Sequence, residues 1–140
     1  MNVLRLDHTA VVVPDMDEAL ARYGRLYGVE PSERTRVPGQ HVEVAFLSFA
    51  GTQLELVQPL DPDSGVARFL ERHGESLHHI GFLVEDISAE LRELASAGVE
   101  LIDPEPRRGV HGLIAFVHPR GTGGVLVELV EHRDEEALQA

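Results

Sequence analysis

The chain lacks cysteine and lysine altogether, and each absence removes a class of chemistry. Its 140 residues contain no cysteine, which excludes disulfides, thiolate metal ligands and cysteine nucleophiles. All 12 basic residues are arginine, so Schiff-base catalysis and a lysine general base are excluded as well. Any catalytic or metal-binding role must therefore fall to carboxylates and histidines.

Long apolar runs and positive charge are also scarce. No apolar run approaches the roughly 18 residues that a membrane helix needs, and the opening residues MNVLRL lack a signal-peptide pattern. The formal net charge of −12 repels nucleic-acid phosphates, and Arg107-Arg108 is the one dense basic cluster in the sequence. We therefore expect a soluble, cytoplasmic protein with neither nucleic acid nor a membrane as a partner.

The chain does contain one strand-like segment written twice, 71 residues apart. The segment LDHTAVVVPDM begins at Leu6, and LHHIGFLVEDI begins at Leu77. This alignment pairs His8 with His79. A length of 140 residues with 43% hydrophobic composition suits one domain, and a repeat this long that occurs only twice does not fit a solenoid. The repeat predicts two half-size modules that share a core.

Periodicity predicts the same order of elements in both modules. Asp15 and Asp86 are predicted helix N-caps, Gly28 is a helix stop, and residues 31–39 are interpreted as a turn. Strands are predicted at about 4–13, 41–49, 52–58, 99–102, 113–118 and 125–131, with a further strand from Leu77. The expected organisation is a single domain over residues 1–140, with module 1 at about 4–60, a linker helix at 64–73, module 2 at 77–131 and an acidic tail at 132–140.

Each module offers one histidine from its first strand and one glutamate from its last strand. The segment TQLELV at 52–57 matches LVELV at 126–130, so Glu55 is the counterpart of Glu128. Strand alternation places His8 and Glu55 on the face away from the helix, and it does the same for His79 and Glu128. Two histidines and two carboxylates that converge on one face could form a site for Co, Mn, Ni, Zn or Fe(II).

Simpler interpretations compete with this metal site. A single histidine in an apolar strand is more often a packed core residue than a ligand, and a single strand glutamate usually faces solvent. The symmetric placement of all four favours the metal, because buried carboxylates are costly without a positive partner. His78 remains a rival to His79, although alternation puts it on the opposite face.

Three segments carry a resemblance to a known family. LHHIGFLVEDI, GVHGLIAFVHP at 109–119 and HPRGTGGVLVEL at 118–129 resemble motifs of the vicinal oxygen chelate superfamily. Within it they are most similar to motifs of methylmalonyl-CoA epimerases, from about Leu4 to Glu131. The resemblance implies an α+β, glyoxalase-like fold in which two tandem βαβββ modules form a shared curved mixed sheet. Arg120 is a departure, because relatives often carry lysine there.

The resemblance also implies a site and an activity. It implies one divalent metal per chain, held by His8, Glu55, His79 and Glu128, with Co²⁺ first and Mn²⁺, Ni²⁺ or Zn²⁺ as alternatives. Glu43 and Glu128 would act as the acid/base pair, although an exposed strand carboxylate is the competing interpretation of Glu43. The implied enzyme is an isomerase of (R)- and (S)-methylmalonyl-CoA that works through a metal-stabilised enolate without a redox cofactor. An acyl-CoA substrate and a homodimer follow from the same resemblance.

Other functions on the same scaffold remain open at this stage. An iron dioxygenase would use two histidines and one carboxylate with open positions, but Glu55 as a fourth ligand leaves less room for substrate and O₂ together. A glyoxalase-type lyase is a further alternative. A non-catalytic binding module would not need all four ligands, so their presence favours an enzyme.

Overall fold

The structure is a computed structural model that describes residues 2–133, apart from the side chain of Pro38. Its strands are β1 (Val3–Val12), β2 (Glu33–Val37), β3 (Val42–Phe49), β4 (Thr52–Pro59), β5 (Ser76–Val84), β6 (Arg107–Arg108), β7 (Gly112–Val117) and β8 (Val127–His132). Its helices are α1 (Met16–Tyr27), α2 (Gly65–His73) and α3 (Ile87–Ser96). Within the described part of the chain, no helix is long and apolar enough to cross a membrane.

Helix α1 begins and ends where the sequence predicts. The Asp15 side chain accepts a hydrogen bond from the Glu18 backbone N–H at 3.0 Å, which satisfies one of the unpaired donors of the first turn. At the other end, Gly28 adopts a left-handed conformation with φ of 67°, which a residue without a side chain takes at little cost. Asp86 caps α3 in the same way, through the Ala89 N–H.

The chain clusters into two compact units. The first unit contains residues 8–78, and its strands follow the order β2-β3-β4-β1. The β2-β3 and β3-β4 pairs are antiparallel, whereas β4 and β1 are parallel. One face of this sheet packs against α1 through the buried residues Val13, Met16, Ala19, Ala45, Leu47 and Leu56.

The second unit combines residues 2–7 with residues from His79 onward. Its strand order is β1-β5-β8-β7-β6, in which β5 and β8 are parallel and β7 is antiparallel to both β8 and β6. Helix α3 packs on it through Ile87 and Leu91, which cluster with Ala115, Val117 and Leu129. Strand β1 occurs in both orders, which confirms the predicted mixed sheet shared by two modules.

Two predicted elements are wrong. The stretch at 31–39, interpreted as a turn, contains the edge strand β2, whose residues are mostly exposed and polar and so gave no apolar alternation. The strand expected at 99–102 is only an isolated bridge between Leu101 and Val117. The edge strand of this unit is instead the two-residue β6, which begins directly after Pro106. Proline cannot donate to a strand ladder, so Pro104 and Pro106 do not favour an extension of β6 in that direction.

The remaining boundaries agree closely with prediction. Helix α2 lies inside the predicted linker helix, with Ser64 as its N-cap. His132, which was placed in the acidic tail, is the last residue of β8. The tail from residue 134 lies outside the described residues. The prediction of one domain over the whole chain stays a prediction.

Candidate metal centre

His8 and Glu55 form the first histidine–glutamate pair, in the first unit. His8 is 3% exposed in β1, and Glu55 is half-buried in the neighbouring strand β4. The two strands are parallel and in register between Ala10 and Glu55, so both side chains leave the same face of the sheet. Their ligand atoms lie within 4.8 Å of one another. This face is the one that α1 does not cover, because Val11 and Leu54 point into the helix-side core.

His79 and Glu128 form the second pair, in the second unit. Both residues are buried, and the His79 Nε2 atom lies 3.7 Å from the Glu128 Oε2 atom. The register between β5 and β8 pairs Gly81 with Glu128. Glu128 is therefore opposite the residue two positions after its histidine, as Glu55 is in the first unit. The Phe116 ring meets the His79 ring edge-on, with 5.2 Å between ring centroids.

The donor set fits a divalent metal. Imidazole nitrogen suits Zn, Cu, Fe and Ni, whereas carboxylate oxygen suits Mg, Ca and Mn, and mixed sets take the transition metals between these extremes. His8, Glu55 and His79 supply these donors from buried or half-buried positions. Glu128 is a carboxylate buried beside an imidazole, and such a group needs positive charge nearby. The structure therefore supports a divalent metal without selecting which one.

His78 has a different environment from His79. Its ring stands edge-on to Phe69 at 4.8 Å, and Phe69 also contacts His73. Burial lowers the pKa of His78, because removing water disfavours the charged imidazolium. His78 thus packs in an aromatic cluster of the first unit, as a histidine with a packing role would, and not as a metal ligand in place of His79.

Glu43 lies on the helix-bearing face of its hairpin. The antiparallel register pairs Glu43 with Gln58 and pairs Phe46 with Glu55, so Glu43 and Glu55 leave opposite faces of the sheet. Gln58 belongs to the α1 side, since its side-chain oxygen accepts a hydrogen bond from the Met16 N–H at 2.7 Å. Glu43 is the second residue of β3, near one end of that strand.

Arg34 holds Glu43 in place, and sequence reasoning missed this residue. The Arg34 Nε–H donates a hydrogen bond to Glu43 Oε1 at 2.9 Å, and a second guanidinium nitrogen lies 2.8 Å from the same oxygen. A third nitrogen donates to Asp17 at 2.7 Å. These two hydrogen bonds raise the pKa of Arg34, so it is a permanent cation. No local pattern could have predicted the contact, because it depends on the β2-β3 register and on β2 itself.

Comparisons with known proteins agree with this geometry. Residues 7–117 match the family model of the glyoxalase/bleomycin resistance protein/dioxygenase superfamily. The human mitochondrial methylmalonyl-CoA epimerase is 38% identical over 91% of this chain and 74% of its own length. An ethylmalonyl-CoA/methylmalonyl-CoA epimerase of Cereibacter sphaeroides is 39% identical over 89% of this chain and 96% of its own length.

Solved structures of such epimerases superpose on most of the chain. The methylmalonyl-CoA epimerase of Mycobacterium tuberculosis gives a TM-score of 0.91 at 35% identity, and the match covers 97% of this chain and 93% of that one. A methylmalonyl-CoA epimerase in complex with methylmalonyl-CoA and NH₄⁺ gives a TM-score of 0.87 at 34% identity, with 94% and 96% covered. The chain belongs to the glyoxalase/bleomycin resistance protein/dioxygenase superfamily.

Proposed function

We propose that this protein is an isomerase that interconverts the two epimers of methylmalonyl-CoA. The observation that carries the proposal is the pair of buried or half-buried histidine–glutamate half-sites, in a chain whose relatives over nearly its whole length include named epimerases of this substrate. The same likeness favours an epimerase over a dioxygenase, a glyoxalase-type lyase or a binding module. Fold alone could not make that choice.

The proposed metal site comprises His8, Glu55, His79 and Glu128, which together bind one divalent ion. The repeated register in β1-β4 and in β5-β8 supports this set, because both pairs present the same two donor types from equivalent positions. Cobalt is our first choice and manganese, nickel and zinc are the alternatives. A bound divalent metal would supply Lewis-acid stabilisation of the negative charge that develops on the substrate oxygens.

Glu128 is the proposed carrier of the proton on one face of the substrate carbon. The carbon between a thioester and a carboxylate is weakly acidic, and its inversion needs a base that removes the proton and an acid that returns it on the other face. Glu128 Oε2 is buried and lies 3.7 Å from an imidazole nitrogen, which restricts the carboxylate to a narrow range of positions. Fixed positioning of this kind accelerates proton transfer.

The role of Glu43 as the second proton carrier stays a prediction, and the position of Glu43 in the sheet determines how it would have to reach the substrate. The resemblance supports the assignment, whereas the register puts Glu43 on the face away from Glu55. Glu43 would therefore have to serve the substrate around the end of the hairpin, near Val42 and Pro59. Arg34 engages Oε1, while Oε2 is 3.9 Å from the Arg36 Nε atom. A proton carried by Glu43 would accordingly sit on Oε2.

Further predictions concern the preferred substrate, the oligomeric state and the cellular location of the protein. Methylmalonyl-CoA is the first substrate to test and ethylmalonyl-CoA is the second, because one relative is named for both. A homodimer is a further expectation that the resemblance supports, and a cytoplasmic location stays an expectation from the sequence alone.

The decisive experiment follows the α-proton directly. Purified enzyme is incubated with (R)- and with (S)-methylmalonyl-CoA in D₂O, and α-deuterium and epimer ratio are followed by NMR. We expect deuterium incorporation with inversion, and we expect a chelator to abolish both until metal is returned. Metal-loaded protein that leaves the α-proton of both epimers unexchanged would exclude this function. Oxygen uptake after anaerobic loading with Fe(II) would point to the dioxygenase instead.

A further inference from the structure

We propose a second cation site at the N-terminal end of α3, with Glu90 as its central ligand and a hard divalent cation such as Ca²⁺ as its occupant. An open cavity of about 680 Å³ lies there, lined by Glu85, Asp86, Glu90, Glu131, His132 and Arg133 among others. All of these residues belong to the second unit. None of them is among the four proposed ligands of the catalytic metal.

Glu90 is the residue that points to a ligand. It is only 7% exposed, and its Oε2 atom is a buried side-chain oxygen for which the described residues provide no hydrogen-bond partner. Its other oxygen, Oε1, accepts a hydrogen bond from the Asn2 backbone N–H at 3.2 Å. A buried carboxylate oxygen without a partner is costly. A bound cation in the cavity that Glu90 lines would remove that cost.

The first module provides an internal comparison at the equivalent positions. Glu90 lies 71 residues after Ala19, which is 1% exposed in the helix-side core. Glu131 is the counterpart of Gln58, since each side-chain oxygen accepts a hydrogen bond from the first N–H of the helix in its own module. That N–H belongs to Ile87 for Glu131 and to Met16 for Gln58. The second module therefore has two carboxylates where the first module performs the same structural roles with neutral side chains.

The surrounding charges favour a cation over an anion. The backbone N–H groups of Ile87, Ala89 and Glu90 at the α3 N-terminus already donate to Glu131, Asp86 and the Asp86 carbonyl. The helix end is therefore satisfied from within the protein and has little capacity left for an anion.

The arginine and histidine side chains near the cavity are also engaged. Arg133 pairs with Glu131, and the His132 Nε2 atom lies 2.8 Å from Asp7 Oδ1. Among residues 2–133, Glu85, Asp86 and Glu90 have no ion-pair partner. The donors that face the cavity are thus oxygens with excess negative charge, which Ca²⁺ and Mg²⁺ prefer. The imidazole-containing pairs of the catalytic site suit transition metals instead.

The test uses protein first saturated with Co²⁺, so that sites for transition metals are filled. Calcium binding is then measured by calorimetry and by the change in melting temperature. We expect uptake of about one Ca²⁺ per chain and a rise in melting temperature with Ca²⁺ concentration. Glu90→Gln keeps the shape but removes the charge, so it should weaken Ca²⁺ binding at least tenfold. In calcium-free buffer the same variant should melt at a higher temperature than the wild type.

Two further variants make the result decisive. Glu18→Gln removes one carboxylate from the exposed first turn of α1, and it should bind Ca²⁺ like the wild type. Glu131→Gln installs the side chain that the first module has at the equivalent position, so it should fold, and it should also weaken Ca²⁺ binding. It serves as the test variant if Glu90→Gln proves insoluble. Absence of Ca²⁺ and Mg²⁺ uptake by the wild type at millimolar concentration, or equal uptake by wild type and Glu90→Gln, would overturn the proposal.

Discussion

Replacing His79 with alanine should remove tight metal binding, while replacing its neighbour His78 should not. The two residues are adjacent in β5, so they leave opposite faces of the strand. His79 is buried beside Glu128, whereas His78 packs on Phe69. Changing a residue that merely orients a metal ligand typically lowers affinity 10–100-fold. Loss of a ligand should therefore lower it by more than about 100-fold, or roughly 2.7 kcal/mol of binding free energy.

His79→Ala should also destabilise the metal-free protein. It removes the edge-to-face contact with Phe116, for which about 0.5–1.5 kcal/mol is typical. It also takes the neighbouring imidazole away from Glu128, which is 6% exposed, and loss of a partner by a buried polar group costs about 1–3 kcal/mol. Together these terms predict a loss of about 1.5–4.5 kcal/mol in the free energy of unfolding.

The measurements are metal content after dialysis and urea unfolding of the apo-protein, for wild type, His79→Ala and His78→Ala. His78→Ala should retain about one divalent metal per chain. Full metal occupancy in His79→Ala would remove that residue from the site. Metal loss in both variants to the same degree would show that the effect comes from general disturbance of β5.

Three further predictions concern the metal, Glu43 and the β7-β8 register. Chelation should stop epimerisation yet leave the circular dichroism spectrum folded, because the two cores are apolar clusters with no metal ligand among them; unfolding at room temperature would contradict this. Metal-loaded Glu43→Gln should lose epimerisation by orders of magnitude while it keeps its metal, and near-normal activity would make Glu43 only a structural partner of Arg34. Gly112→Ala should lower the free energy of unfolding by about 3 kcal/mol or more, since its Cβ would lie 2.0 Å from the Glu131 carbonyl oxygen. Gly39→Ala is the control: no atom lies within 4 Å of its added Cβ, so denaturant unfolding should give nearly the wild-type free energy.

Much of the fold could be predicted because its signals are local. Asp15 and Gly28 mark the ends of α1 through hydrogen bonds and dihedral angles that involve only nearby residues. The duplicated segment then transfers the same interpretation to α3. The edge strand β2 was missed for the opposite reason, since an exposed strand has no buried face to impose alternation and forms only because β3 pairs with it. The segment at 99–102 carries three apolar residues but forms only one bridge, from Leu101 to Val117, and Pro104 follows two residues later.

In the candidate site too, the features that follow local patterns could be predicted and those that depend on distant pairing could not. His8 and Glu55 could be paired from the repeat, because β-strand alternation and parallel register are regular. The face of Glu43 could not be predicted, since it depends on which residue of β4 lies opposite. Glu90 did leave a signal in the sequence: it falls among Ile87, Leu91 and Leu94 on the apolar face of α3, where the first module has alanine. A carboxylate at such a position indicates either a packing conflict or a ligand.

The division of β1 between the two units has a consequence for synthesis on the ribosome. Residues 2–7 emerge before residues 79 onward but cluster with them, and the Asn2 N–H reaches Glu90, 88 positions later. At about 5–20 residues per second, these partners appear roughly 4–18 s afterwards. Residues 8–78 can form their contacts in the meantime, whereas the first half of β1 must wait for its partners in the second unit. Slow closure of this long-range contact should make the opening strand the last part of the chain to gain protection from hydrogen exchange during refolding.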